Sequence, residues 1–223
     1  MDFSKNWVAG SSSPEIIFAY VNNSRASSPL NFTLYVNDTD GSWNYAPSDW
    51  CYSSLFADDN TLSRKGDVRL KATFTSQDAN RVIKYPNGTY QLAETSDYTC
   101  TPVVISRISE MYLVKAEALG KTNGAAALVE YMKKRYTTAP SEAAIKALSD
   151  KEYQTLILDE RRREFYAEGM RWQDIKRTNR LELLETLDGR TYLMYYPIPQ
   201  DEIDMAGTVA YPQNPGYAGY TGN

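Results

Sequence analysis

Residues 158–177 read LDERRREFYAEGMRWQDIKR, a stretch dense with charge yet threaded with Leu, Phe, Tyr, Met, Trp and Ile. Its spacing constrains the fold more than any other feature of the chain. On a helix advancing ~100° per residue with Glu160 at zero, Tyr153 and Ile157 fall at about 20° and 60°, the apolar side. Glu164, Glu168 and Arg161 fall at about 40°, 80° and 100° on that same side. Arg162, Arg163 and Asp159 point the other way, toward water. Carboxylates at i, i+4 and i+8 repel by a few tenths of a kcal/mol per exposed pair, and by more when buried, so they require cations. Gly169 is placed to end the helix with a left-handed turn, folding RWQDIKR back toward the glutamates. That return brings Arg171 and Arg177 into reach, with Trp172 as cover and Asp174 as counter-charge. The reading is a structural ion network of Glu160, Arg161, Glu164, Glu168, Arg171, Asp174 and Arg177. A solvated helix end with local pairs is the plain alternative. Neighbouring arginines lower carboxylate pKa values, which disfavours paired glutamates as general acid and base.

Composition removes other functions. Lys and Arg total 24 against 28 Asp and Glu, a net charge of −4, which argues against nucleic acid as a partner. There is no histidine, so the commonest general base and metal ligand are both absent. With only Cys51 and Cys100, no Cys/His zinc site can be built, and neither a metal nor a cofactor is expected. The two cysteines fit one disulfide or two buried thiols equally well. No run approaches the ~18 apolar residues of a membrane span, and no signal segment or lipid-bearing cysteine stands near the start. The chain is therefore expected to be soluble. Tyrosine is over-used, at 18 against 6 Phe and 4 Trp, which suits wet binding surfaces and half-exposed packing alike.

One domain over residues 1–223 is expected, loop-rich with short strands to 102, helical over 103–178, and irregular over 179–223. PEIIFAYV (14–21) and NFTLYV (31–36) read as strands. The long loop 38–54 carries Trp43, Tyr45, Trp50 and Tyr52, bulky rings that the chain must bury or use. RVIKY (81–85) and TYQL (89–92) read as a hairpin around Pro86-Asn87-Gly88. In VVISRISEMYLVKAEALGK, Ile105, Ile108, Tyr112 and Ala116 recur at helical spacing, and Gly120 stops the run. With AAALVEYMKKRY (125–136) this makes a helix pair of about tetratricopeptide-repeat size, which needs further helices to bury its apolar face. SEAAIKALS and a longer helix capped by Asp150 supply them.

ERRREFYAEGMRWQDIKR resembles the signature of SusD/RagB proteins, the surface nutrient-binding lipoproteins of Bacteroidetes. RISEMYLVKAEAL and YPIPQDEID…QNPGY resemble two further motifs of that family, in the same order, and GDVRLKATF (66–74) fits the region before them. The resemblance implies a mainly α, SusD-like fold with tetratricopeptide-type helix pairs, here only its C-terminal domain. It implies a non-enzymatic protein on the outer-membrane surface, lipid-anchored in its parent form, that hands oligosaccharide or another nutrient to a SusC-like TonB-dependent transporter. Sugars stack on Trp and Tyr faces, so Trp43, Tyr45, Trp50 and Tyr52 are the candidate ligand-binding residues. A tetratricopeptide-like interaction scaffold without a small ligand is the alternative.

Overall fold

The structure is a computed structural model that describes residues 3–7, 13–20, 46–74, 82–85, 102–184, 187, 189–206 and 211–218. It is mainly helical, with small two-stranded sheets, and divides into two compact units, Met1–Tyr166 and Ala167–Asn223. The readings of 31–36 and 89–92, and the rings of Trp43 and Tyr45, lie outside the described residues.

The first unit opens with a 3-10 turn, Phe3–Trp7, and strand β1, Ile16–Tyr20. A wide helical turn, Cys51–Leu55, occupies the second half of the segment expected to be loop, and buries Cys51 and Leu55. Strand β2 (Lys65–Asp67) leads into the short helix α1 (Arg69–Thr73), and Phe74 bridges to Val82 in antiparallel register. Strand β3 is Val103–Arg107 and pairs antiparallel with β1. Helix was expected there. The helical spacing of Ile105 and Ile108 misleads, because the Val-Val-Ile run is β-branched and β1 supplies a partner edge. The helix begins only at Ile108, whose N–H donates to the Glu15 carbonyl at 2.8 Å.

Helix α2, Ile108–Met132, is two arms joined at Gly120, where φ is 66° and ψ 173°. Only glycine takes that conformation without strain. The bend brings Gly124 onto the Ala116 carbonyl so closely that a Cβ at 124 would lie 2.2 Å from that oxygen. The Tyr153 hydroxyl donates to the same carbonyl at 2.8 Å, and burial pushes the phenol up to about 12. Strand β4 (Tyr136–Thr138) pairs with β2, and helix α3 (Glu142–Ala147) starts where the Ser141 hydroxyl accepts from Ala144 N–H. Helix α4, Asp150–Glu164, is capped by Ser149 rather than Asp150. Ser149 and Glu152 form a reciprocal capping box, which holds the Glu152 carboxyl below its usual value. Its apolar face, Tyr153, Leu156 and Ile157, is buried with Leu158, about 1.5–3 kcal/mol for each aliphatic side chain.

The second unit begins with Ala167 at φ 60° and Gly169 at φ 79°, which precede helix α5, Met170–Thr178. Asn179, at φ 52°, closes α5 by donating to the Lys176 carbonyl at 3.1 Å. Ile175, Leu187 and Met194 form a small core, with Trp172, Leu181 and Leu193 packed on it. A 3-10 turn, Thr191–Met194, and helix α6, Gln200–Met205, complete the unit.

Gly124→Ala would drive a methyl into the Ala116 carbonyl and the Tyr153 hydroxyl. It should destabilise by about 1–3 kcal/mol, read as a lower urea midpoint. An unchanged midpoint would show that the two arms of α2 do not meet there.

Candidate functional site

The side chains of α4 meet polar groups delivered by separate parts of the first unit. Glu164 accepts from Arg107 Nη1 at 2.6 Å, from Arg135 Nε at 2.9 Å and Nη2 at 3.0 Å, and from Tyr131 Oη at 2.8 Å. Arg69 reaches it at 3.3 Å and reaches Glu160 at 2.9 Å. Glu160 also accepts from Arg163 at 2.9 Å and from the Tyr136 hydroxyl. Asp67 grips the far side of Arg69 with two bonds, at 2.9 and 2.7 Å, and Glu15 grips Arg135 at 3.1 and 2.6 Å. Four guanidiniums (Arg69, Arg107, Arg135, Arg163) thus face four carboxylates (Glu15, Asp67, Glu160, Glu164), and these eight charges cancel.

Glu160, Glu164 and Arg69 are all 0% exposed. Burial alone would raise the Glu164 carboxyl, but Arg135 and Arg107 outweigh it and hold the group well below its usual range. For Glu160 burial is likewise outweighed, by Arg69 and Arg163, and its carboxyl is also lowered. Burial pushes the Tyr131 and Tyr136 phenols up, so they remain hydrogen-bond donors at neutral pH. Carboxylates pinned in the ionised form cannot pass protons near neutrality. What the arrangement does well is fix one geometry, because each forked guanidinium satisfies two directions at once.

The partners Arg69, Arg107 and Arg135 were missed by sequence reasoning. Arg69 sits between Val68 and Leu70, and Arg107 one residue before Ile108; a lone cation in an apolar run was the available signal. Arg163, expected to face water, is buried and donates to the Leu55 carbonyl as well as to Glu160, since the Cys51–Leu55 turn covers that flank of α4. Arg161 is buried too and faces Glu110 of α2 at 3.4 Å, with its guanidinium 5.1 Å from the Phe165 ring. Helix α4 stops at Glu164 with Phe165 as its C-cap, so the helical wheel does not extend to Glu168, and Gly169 precedes α5 instead of ending α4. Glu168, Arg171, Asp174 and Arg177 belong to the second unit, where buried Asp174 pairs with exposed Arg177 at 3.0 Å.

Another flank of the first unit carries the aromatic candidates. Trp50 is 44% exposed, and the Arg162 guanidinium lies 4.3 Å from its ring centroid. Tyr52 is half-buried, tilted against Phe74 at 5.4 Å, and its hydroxyl has no hydrogen-bond partner. Phase by phase the cluster continues inward: Phe74 meets Phe56 edge-on at 5.4 Å and Tyr166 at 4.8 Å. Cys51 is a buried free thiol whose Sγ donates to the Tyr166 hydroxyl at 3.5 Å. Among the described residues no group of His, Cys, Asp and Glu is arranged to hold a metal, and no helix is long and apolar enough to cross a membrane.

Glu164→Ala should destabilise by about 3–5 kcal/mol, because Arg107 would be left buried without its close carboxylate and Arg135 with Glu15 alone; chemical denaturation reads this directly. Both glutamates are depressed in the native state, so their contribution is complete above the ordinary value of 4.5. It should be lost as pH falls from there through the lowered native pKa values, and a Glu160→Gln/Glu164→Gln variant should show a flatter acid limb in the denaturation midpoint. Identical acid limbs would contradict the depressed pKa values.

Residues 58–190 match the SusD family, a span of more than half of the 223 residues that contains Arg69, Arg107, Arg135, Glu160, Arg163 and Glu164. A SusD-like protein P38 from Formosa agariphila is 30% identical over 142 residues, covering 58% of this chain and 27% of that protein. The chain thus spans little more than a quarter of the length of the relative it matches. The chain belongs to the SusD family, a family of non-enzymatic binding proteins.

Proposed function

We propose that this chain captures an oligosaccharide at the cell surface and delivers it to a SusC-like TonB-dependent transporter in the outer membrane, its parent form held there by a lipid anchor. The observation that carries the reading is the family match over residues 58–190. The bent helix α2, folded at Gly120 and followed by α3 and α4, supports a SusD-like arrangement with a tetratricopeptide-type helix pair. The proposed ligand face is the Trp43–Tyr52 segment. Trp50 supports it by its 44% exposure: Arg162 braces one face of the indole, and the apolar side of a pyranose can stack on the ring from the solvent side. Tyr52, half-buried beside Phe74, supports the floor of that segment, in which Trp43 and Tyr45 also lie.

A second reading, an interaction scaffold, is favoured by the exposed apolar residues of β1, β3 and the first arm of α2: Ile17, Phe18, Ile105, Ile108, Met111 and Val114. Isothermal titration with a panel of plant, host and bacterial oligosaccharides separates the two. Glycan binding should be weak, with Kd between about ten micromolar and millimolar, because an open aromatic face leaves much of a sugar in water. Trp50→Ala should weaken it by about tenfold, the equivalent of one stacking contact. Unaltered affinity in that variant would remove Trp50 from the site, failure of every glycan to bind would favour the scaffold, and turnover of any glycan would overturn the reading altogether.

A further inference from the structure

We propose that the second unit holds a saccharide subsite of its own, a cleft that takes a single pyranose ring. It rests on the glycan-binding reading only for the choice of ligand class; the cleft itself stands on its geometry. Lys176, Asn179, Thr191, Tyr192, Tyr195 and Asn214 line a cavity of about 520 Å³, within the span usual for small-molecule sites. Two tyrosine rings supply apolar faces, and an ammonium, two amides and a hydroxyl supply polar groups around them. That pairing of flat apolar surface with neutral and cationic hydrogen-bonding groups is what a pyranose presents in complement: an apolar ring face edged with hydroxyls. No carboxylate lines the cleft among the described residues, which disfavours a cationic occupant.

The cleft is built rather than incidental. After residue 178 the chain contains tyrosine but no Phe or Trp. Packing alone would be served by Phe, and Tyr195 and Tyr196 remain 63% and 84% exposed. The turn at Gln213–Tyr217 fixes the walls. Buried Gln213 accepts from Ile198 N–H at 2.7 Å and donates to the Ile198 carbonyl at 2.8 Å, clamping the two passes of chain together. Asn214 donates to the Tyr196 carbonyl at 2.8 Å, and the Tyr217 hydroxyl donates to the Tyr195 carbonyl at 2.7 Å. The Tyr217 ring stands edge-on to Tyr192 at 5.1 Å and 86°. Gly216, at φ 90°, brings its backbone so close to Tyr192 that a Cβ would lie 2.3 Å from the ring. Lys176 extends from α5 over the Tyr195 ring, 5.4 Å from its centroid, and has no ion-pair partner among the described residues. Walls fixed in advance lower the ordering cost of binding.

The test is saturation-transfer NMR and titration of the full chain with methyl glucoside, methyl galactoside and methyl glucuronide, repeated in a Trp50→Ala background so that the remaining signal reports the cleft. At least one probe should bind. Tyr195→Ala, which removes an exposed ring, should cut its affinity at least fivefold without moving the melting temperature. Gly216→Ala should also cut the affinity by displacing Tyr192, although it removes no group from the cleft, and should lower the melting temperature because φ 90° strains any side chain there. Affinity unchanged in both variants overturns the subsite, as does silence from all three probes. Oligosaccharide binding that depends on Trp50 and ignores Tyr195 would overturn the subsite while leaving the Trp50 reading intact.

Discussion

Two carboxylates one turn apart on α4 are held at zero exposure, and the first unit is arranged around keeping them there. An isolated buried carboxylate is too costly to persist in ionised form, and two neighbours repel each other as well. The solution is an array of guanidiniums drawn from separate places in the chain: Arg69 at the start of α1, Arg107 at the end of β3, Arg135 before β4, and Arg163 on α4 itself. Helix α1 has five residues, and β2 and β4 have three each. Elements so short are not stable alone. Arg69 ties α1 to Glu160 and Glu164 and, through Asp67, holds β2, while Tyr136 of β4 bonds Glu160.

Three consecutive arginines divide the labour around α4. Arg161 turns to Glu110 on α2, Arg163 turns to Glu160 and the Leu55 carbonyl, and Arg162 lies over Trp50. The helix that carries the charged core therefore also supports the one described ring of the proposed ligand face that is exposed. This separates two kinds of requirement. The core charges demand fixed partners and lowered carboxylate pKa values, which leaves neither Glu160 nor Glu164 poised for proton transfer near neutrality. The aromatic face demands only a rigid support.

The helical period made part of this legible from sequence. Tyr153, Ile157, Glu160 and Glu164 share one side of α4 by spacing alone, and all four are buried. Gly120 reads as a stop, and its φ of 66° bends α2 there. What spacing could not supply is non-local. Glu164 finds Arg69, Arg107 and Arg135 at separations of 95, 57 and 29 residues. Strand β3 read as helix because its partner, β1, lies far back in the chain, where Phe18 pairs with Ser106 and Ala19 with Val104. Arg163 read as solvent-facing because the turn that covers it lies 108 residues earlier. The cap of α4 was missed by one residue: Ser149 and Glu152 form the reciprocal box, which the Asp150 assignment overlooked.

The most direct test of the central claim is a double-mutant cycle between Glu164 and Arg135, whose two hydrogen bonds measure 2.9 and 3.0 Å. Glu164→Gln, Arg135→Met and the double variant would be compared by urea denaturation. If the buried network organises the first unit, the double variant is less destabilised than the sum of the singles, with a coupling of about 1–3 kcal/mol. Additivity to within about 0.5 kcal/mol would contradict the account, since it would mean that the two groups do not depend on each other for their burial.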